Sequence, residues 1–168
     1  QIIGEDPRRV EHINTYLRNL AGGEAPAGLV TRGVSGIDVA LWDIKGKAAS
    51  EPLHRLLGGF RDTVPTYASG YLWRNFDLNR LETTSKELVS QGFKAMKFRM
   101  GAEDSAQKEI ARMETMRNSV GPEITVMLDI NQGWDVNTAI SIGRELAQYD
   151  LFWLEDPINH QDFEGLSR

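Results

Sequence analysis

Apolar positions recur at helical spacing in the first third of the chain. Beyond it, short continuous apolar runs alternate with helical stripes. Val10, Ile13, Tyr16, Leu17 and Leu20 predict a helix from Asp6 to about Leu20, with Asp6 and Pro7 as its N-cap and first-turn pair. Gly22, Gly23 and Pro26 break it. Ile37, Leu41, Ile44 and Ala48 predict a second helix from Ser35 to Ala49, and Leu53, Leu56 and Leu57 a short turn that stops at Gly58 and Gly59. From Val64 the pattern changes. Strands are predicted over Val64–Gly70, Ala95–Arg99, Thr125–Asn131 and Phe152–Glu155. Helices are predicted between them over Leu78–Gln91, Glu103–Ser119 and Asp135–Tyr149, with Asp135 as a cap, and the chain ends inside a further helix.

Strand starts near 64, 95, 125 and 151 give a βα period of roughly 30 residues, so the sheet is parallel with a helix in each crossover. A doubly wound sheet is open on this pattern. The charged residues at successive strand ends, without a Gly-rich phosphate loop at the first βα turn, favour a barrel. The fold class is therefore α/β, a partial (β/α)8 TIM-type barrel of the first four βα units preceded by helices. The boundary falls near residue 60, giving segments 1–60 and 61–168, and four units make half of an eight-stranded barrel.

Composition narrows the function classes. A chain that is 40% hydrophobic and 26% charged is a soluble globular protein, and a net charge of −5 argues against nucleic acid. No apolar run reaches the roughly 18 residues of a membrane span, and no signal peptide opens the chain. The absence of cysteine excludes disulfides, thiolate catalysis and Cys-based metal sites, and fits the cytoplasm.

Three strands end in chemistry. Lys97 and Arg99 close one, Asp129 and Asn131 the next, and Glu155 the last. Side chains two apart in a strand share a face, so Lys97 pairs with Arg99, Asp129 with Asn131, and Glu155 with Trp153, while Asp156 points the other way. Adjacent strands lie about 5 Å apart, and two carboxylates at that spacing need a cation or a proton between them. Oxygen donors without Cys or paired His favour Mg²⁺ over zinc. Asn131 adds a neutral oxygen ligand or holds substrate. The alternative is that Lys97 and Arg99 are ion-pair partners of Asp129 without a catalytic role.

The segments Gly36-Ile-Asp-Val-Ala-Leu-Trp-Asp-Ile-Lys-Gly-Lys47, Pro52-Leu53 and Leu56-Leu-Gly-Gly59 resemble the helical region before the barrel in the enolase superfamily, in its mandelate racemase and muconate lactonizing enzyme group. Gly92-Phe-Lys-Ala-Met-Lys-Phe-Arg-Met-Gly101, Leu128-Asp-Ile-Asn-Gln-Gly-Trp134 and Trp153-Leu-Glu-Asp-Pro157 resemble that group's second, third and fourth barrel strands. The resemblance implies that residues 1–60 belong to an α+β capping domain and that Asp129 and Glu155 are two of three Mg²⁺ ligands. It also implies proton abstraction α to a substrate carboxylate through a metal-stabilised enediolate. The group's Lys-x-Lys maps to Lys97-Phe98-Arg99, with arginine where a basic lysine is usual. Arginine keeps its proton, so Arg99 is expected to grip a carboxylate or hydroxyl, or to depress the pKa of Lys97 by like charge.

One-base dehydration of an acid sugar is thereby favoured over two-base racemisation, with epimerisation or cycloisomerisation as the alternative within the superfamily. A non-catalytic barrel relative and an unrelated Mg²⁺ barrel acting on phosphorylated substrates are the alternatives outside it. The remaining ligand and the base fall on later strands, so the 168 residues alone are expected to be inactive. Trp73 and Arg74 follow the first strand and are candidate substrate contacts; His160 either reaches the mouth or is solvated. His12 and His54 are expected to be structural and Trp42 core, with Lys45 and Lys47 at a solvated helix end. The expected partner is a small hydroxy acid or acid sugar, and the intact protein is expected to be a symmetric homo-oligomer.

Overall fold

The computed structural model describes residues 2–20, 22 and 28–168. The chain divides into two compact units, Gln1–Val64 and Pro65–Arg168. The first contains α1 (Val10–Leu20), α2 (Leu29–Ala49) and α3 (Leu53–Leu56). Val10, Ile13 and Leu41 form its buried core, joined by Ile2, Leu17, Ile37 and Trp42. The helix boundaries differ from those the sequence predicts. Asp6 does not cap α1. Its carboxylate accepts from the Arg8 amide at 3.0 Å and pairs with the Arg8 guanidinium, closing a turn four residues before the helix. α2 starts six residues early, running through the weak helix formers Val30, Thr31 and Gly33, whose propensities do not prevent the helix from extending. Its buried positions are Val34, Leu41 and Gly46, while Ile44 and Ala48 are exposed. The predicted breakers Gly23 and Pro26 lie outside the described residues.

The second unit is a four-stranded parallel sheet in the order β1 (Ala68–Leu72), β2 (Ala95–Arg99), β3 (Thr125–Asp129) and β4 (Leu151–Glu155). Its crossovers are α4 (Leu78–Ser90), α5 (Ala106–Val120) and α6 (Val136–Leu146), and α7 (Phe163–Leu166) follows β4. Asp77, Ser105 and Asp135 cap α4, α5 and α6 through their side-chain oxygens, so the three long helices start where the chain offers a short polar acceptor. Met96, Phe98, Val126 and Leu128 point from the sheet into one core with Leu81, Leu88, Met113, Met116, Ile142 and Leu146 of the helices. Fully burying each such side chain is worth about 1.5–3 kcal/mol. Among the described residues no helix is long and apolar enough to cross a membrane.

β1 starts four residues later than predicted. Val64 precedes Pro65, which cannot donate to a ladder, and the strand runs past Gly70 instead of ending there. Gly70 has φ of +86°, and the register moves from Ala68↔Met96 to Leu72↔Phe98, so β1 carries a bulge. β4 carries another, since Val126 pairs with Leu151 but Met127 pairs with Trp153.

Candidate active site at the strand ends

The sheet's second face carries the chemistry. Lys97, Met127 and Trp153 form one rung across β2, β3 and β4, and Arg99, Asp129 and Glu155 form the next, at the C-terminal ends of the strands. The Lys97 side chain spans the gap between rungs. Its Nζ lies 2.7 and 2.9 Å from the two Glu155 oxygens and 3.5 Å from Asp129 Oδ2. Arg99 Nε approaches the same Asp129 oxygen at 3.5 Å. The other Asp129 oxygen accepts the backbone amide and the side-chain amide of Asn131, at 2.9 and 2.6 Å. Asp129 is buried with one oxygen accepting two hydrogen bonds and the other facing two cations, which offsets the cost of keeping its charge out of water.

Burial alone would pull the Lys97 pKa down. The hydrogen bond and charge of Glu155, with Asp129 and Tyr67 behind it, outweigh burial and hold the ammonium above its ordinary value. The depression of Lys97 by Arg99, one of two roles expected for that arginine, is therefore corrected: carboxylates on two strands face the ammonium and set the sign.

The loops bring in the other candidates. The Arg99 guanidinium stacks 4.6 Å from the Trp73 ring centre, and Arg74 donates to Asn131 Oδ1. Asn131 and Gln132 sit in the left-handed region, at φ +49° and +63°, which turns the chain back over Asp129. His160 is tied to Gln132 through its amide at 3.1 Å and its ring Nδ1 at 2.9 Å, joining the loop after β4 to the loop after β3. Lys97, Arg99, Asp129, Glu155, Asn131, Trp73 and Arg74 are thus linked by direct contacts, and His160 joins them through Gln132. Among the described residues no group of three or more His, Asp or Glu side chains gathers tightly enough to hold a metal. The carboxylate pair stands as a pair.

Sequence reasoning passed over several participants. Tyr67 packs edge-on against Trp153 at 5.6 Å, and its ring centre is 6.0 Å from Lys97 Nζ. The sequence pattern places it within the first strand, and no local signal marks it as part of the site. Glu109 and Arg112 are buried on α5 at positions where the helical stripe calls for apolar residues, a signal that was available.

Comparison with known proteins places the chain. A family model described as "Enolase C-terminal domain-like" matches residues 80–168. A second, "Mandelate racemase / muconate lactonizing enzyme, N-terminal domain", matches residues 1–58. L-talarate/galactarate dehydratase of Salmonella typhimurium is 35% identical over 98% of this chain and 41% of its own length. Among solved structures, 3,6-anhydro-D-galactonate cycloisomerase from Zobellia galactanivorans superposes with a TM-score of 0.90 at 30% identity, over 98% of this chain and 46% of its own. A racemase from Streptomyces coelicolor A3(2) with bound magnesium gives 0.87 at 32% identity, over 96% and 45%. The chain spans less than half the length of each of these relatives.

Proposed function

We propose, given that this chain belongs to the mandelate racemase and muconate lactonizing enzyme group of the enolase superfamily, that it supplies half of a Mg²⁺-dependent active site that removes the proton α to a carboxylate. On this reading residues 1–60 are the C-terminal helical part of a capping domain, and 61–168 are the first half of the barrel. The observation that carries it is the in-register pair Asp129 and Glu155, closing adjacent parallel strands with one ammonium against both.

The pair fits the metal. Its donors are carboxylate oxygens, with no Cys in the chain, which suits a hard dication. Lys97 Nζ already rests against both carboxylates, so the pair accepts a positive charge between its members. The Glu155 side chain is 38% exposed, which opens the pair to solvent. Asp129 and Glu155 would hold Mg²⁺, which when bound supplies fixed positive charge against the substrate carboxylate and lowers the cost of removing its α-proton.

The chain's own residues do the rest. Lys97, held as an ammonium, donates to charge developing on the substrate carboxylate. Arg99 cannot accept a proton and grips a substrate carboxylate or hydroxyl, its guanidinium resting over the Trp73 ring at 4.6 Å. Asn131, Arg74, Trp73 and His160 line the approach and orient the substrate. The proton acceptor is then a side chain outside these 168 residues. With one base, the α-proton and a β-hydroxyl leave an acid sugar as water, and the enol product rearranges to a 2-keto acid. The same reading has the intact protein acting as a symmetric homo-oligomer in the cytoplasm on a small carboxylate, without nucleic acid.

Solvent-deuterium exchange at the α-carbon, measured with the intact protein in Mg²⁺ on a panel of acid sugars and hydroxy acids, tests this. Exchange with formation of a 2-keto acid is expected. Exchange without elimination moves the assignment to an epimerase or racemase, and absence of exchange with every acid overturns it.

A further inference from the structure

α5 carries a buried acid and a buried base, one turn apart, each spent on a different loop. Glu109 is 1% exposed, and its Oε1 accepts the backbone amides of Gly101 at 2.9 Å and Glu103 at 3.0 Å in the loop after β2. Arg112 is 2% exposed, and it donates to the carbonyls of Trp73 at 3.2 Å and of Phe76 in the loop after β1. Arg112 Nη1 also lies 3.3 Å from Glu103 Oε1, which links the two loops.

Glu109 and Arg112 do not form an ion pair with each other. Glu109 Oε2 and Arg112 Nε have no hydrogen-bond partner among the described residues. A buried charge that leaves one of its atoms unmatched costs stability, and apolar side chains of similar volume would fill the same space more cheaply. What the two residues do achieve is control of backbone at the mouth. Arg112 fixes the carbonyl of Trp73, whose ring carries the Arg99 guanidinium at 4.6 Å. Glu109 fixes the amide of Gly101, two residues after Arg99. Gly101 has φ of +88°, and a Cβ there would meet Ile130 Cγ2 at 2.7 Å, so this loop has a single close path beside the end of β3.

We propose that Glu109 and Arg112 are positioning residues that set the orientation of Arg99, through Trp73 on one side and the Gly101 turn on the other. They act from α5 without touching the carboxylate pair. Among the described residues, the other restraint on the Arg99 side chain is Asp129 at 3.5 Å. Its aim is therefore set by the ring it rests on and by the turn that ends its strand.

The kinetic consequence rests on the proposed reaction, whereas the loop geometry does not, so the experiment has two arms. In the first, every tryptophan of the intact protein other than Trp73 is replaced by Phe, and acrylamide quenching reports Trp73 alone. Arg112→Met is expected to raise the quenching constant at least twofold. Arg112→Lys, which reaches one carbonyl at most, is expected to fall between, and it serves if Arg112→Met does not fold. For the kinetic arm, Glu109→Gln keeps an acceptor at Oε1 and should preserve the rate of α-proton exchange that Glu109→Leu loses. In the second arm, Arg112→Met is expected to lower kcat/KM for α-proton exchange at least tenfold, with no further loss when added to Trp73→Ala. Unchanged quenching in a folded Arg112 variant, or effects of Arg112 and Trp73 that multiply, would overturn the proposal. If the parent protein exchanges no substrate, the reaction assignment fails, and the quenching arm still decides the positioning role.

Discussion

Glu155 lies directly across from Asp129 because β4 carries one residue more than β3 between their first and last rungs: Val126 pairs with Leu151, and Asp129 pairs with Glu155. The extra residue sits at Phe152, which the bulge leaves 66% exposed. A regular ladder running on from Val126↔Leu151, with Phe152 paired instead of bulged out, would set Leu154 opposite Asp129 and turn Glu155 off the rung. The facing carboxylate pair is a product of that bulge.

Replacing Glu155 by Gln keeps the shape and removes one of the two carboxylates. Isothermal titration of the intact protein with Mg²⁺ should show an affinity loss beyond the ~10–100-fold that follows loss of a supporting residue. Mg²⁺ affinity within tenfold of the parent would count against the ligand role.

Lys97→Met removes the ammonium that both carboxylates face, and Asp129 is too buried to recover its hydration. In the absence of Mg²⁺, urea unfolding should show a loss of about 1–3 kcal/mol. Exchange at the substrate α-carbon should also disappear. A variant as stable as the parent would mean that the ammonium is not what compensates Asp129.

Arg117 does comparable work far from the mouth. Its guanidinium donates to the carbonyls of Gly121, Ile124, Tyr149 and Asp150 at 2.8–3.0 Å, tying the turns that lead into β3 and β4. Arg117→Met strands these acceptors and should cost about 2–4 kcal/mol in denaturant unfolding. Since it touches nothing at the strands' C-terminal ends, kcat should stay within about twofold of the parent, as barrels separate stability from catalysis at opposite faces. A large fall in kcat without loss of stability would contradict this division.

Asp135 caps α6, and the amide and hydroxyl of Thr138 hold its carboxyl below the ordinary 3.8. A depressed folded pKa means that the unfolded chain binds the proton first. The cap's charge-dependent contribution is thus fully present above about pH 4 and is lost as pH falls through the folded value. Asp135→Asn keeps an acceptor without a titrating group. Thermal midpoints followed from pH 6 to pH 2 should therefore fall less steeply in the variant than in the parent, and parallel curves would remove the cap from the acid response.

The parts of the fold legible in the chain are those that depend on local periodicity. β2 is found over Ala95–Arg99 as read, because a buried strand between two helical stripes has no other way to satisfy its apolar run. The cap Asp135 is likewise legible, since a side-chain oxygen acts within a few residues, whereas the short helix α3 is capped by Leu57, one residue before the Gly58 read as its end. The first strand was misplaced because alternation across Val64–Gly70 continues through a proline and a bulge, and neither has a two-residue period. Glu109 and Arg112 fall on the inward stripe of α5, but a charged residue in a helix reads as solvated until its neighbours in space are known.

The sequence by itself determined the parallel βα order, the charged residue types at three strand ends, and the family through motifs in order. These follow from side-chain chemistry and from spacing along the chain. Only the tertiary structure decided that Glu155 meets Asp129, that Lys97 is held charged between them, and that Trp73 carries Arg99. Those relationships depend on register, and register is set by a bulged residue and by loop contacts between segments far apart in the sequence. A one-residue shift there would reverse every face while leaving the apolar pattern almost unchanged.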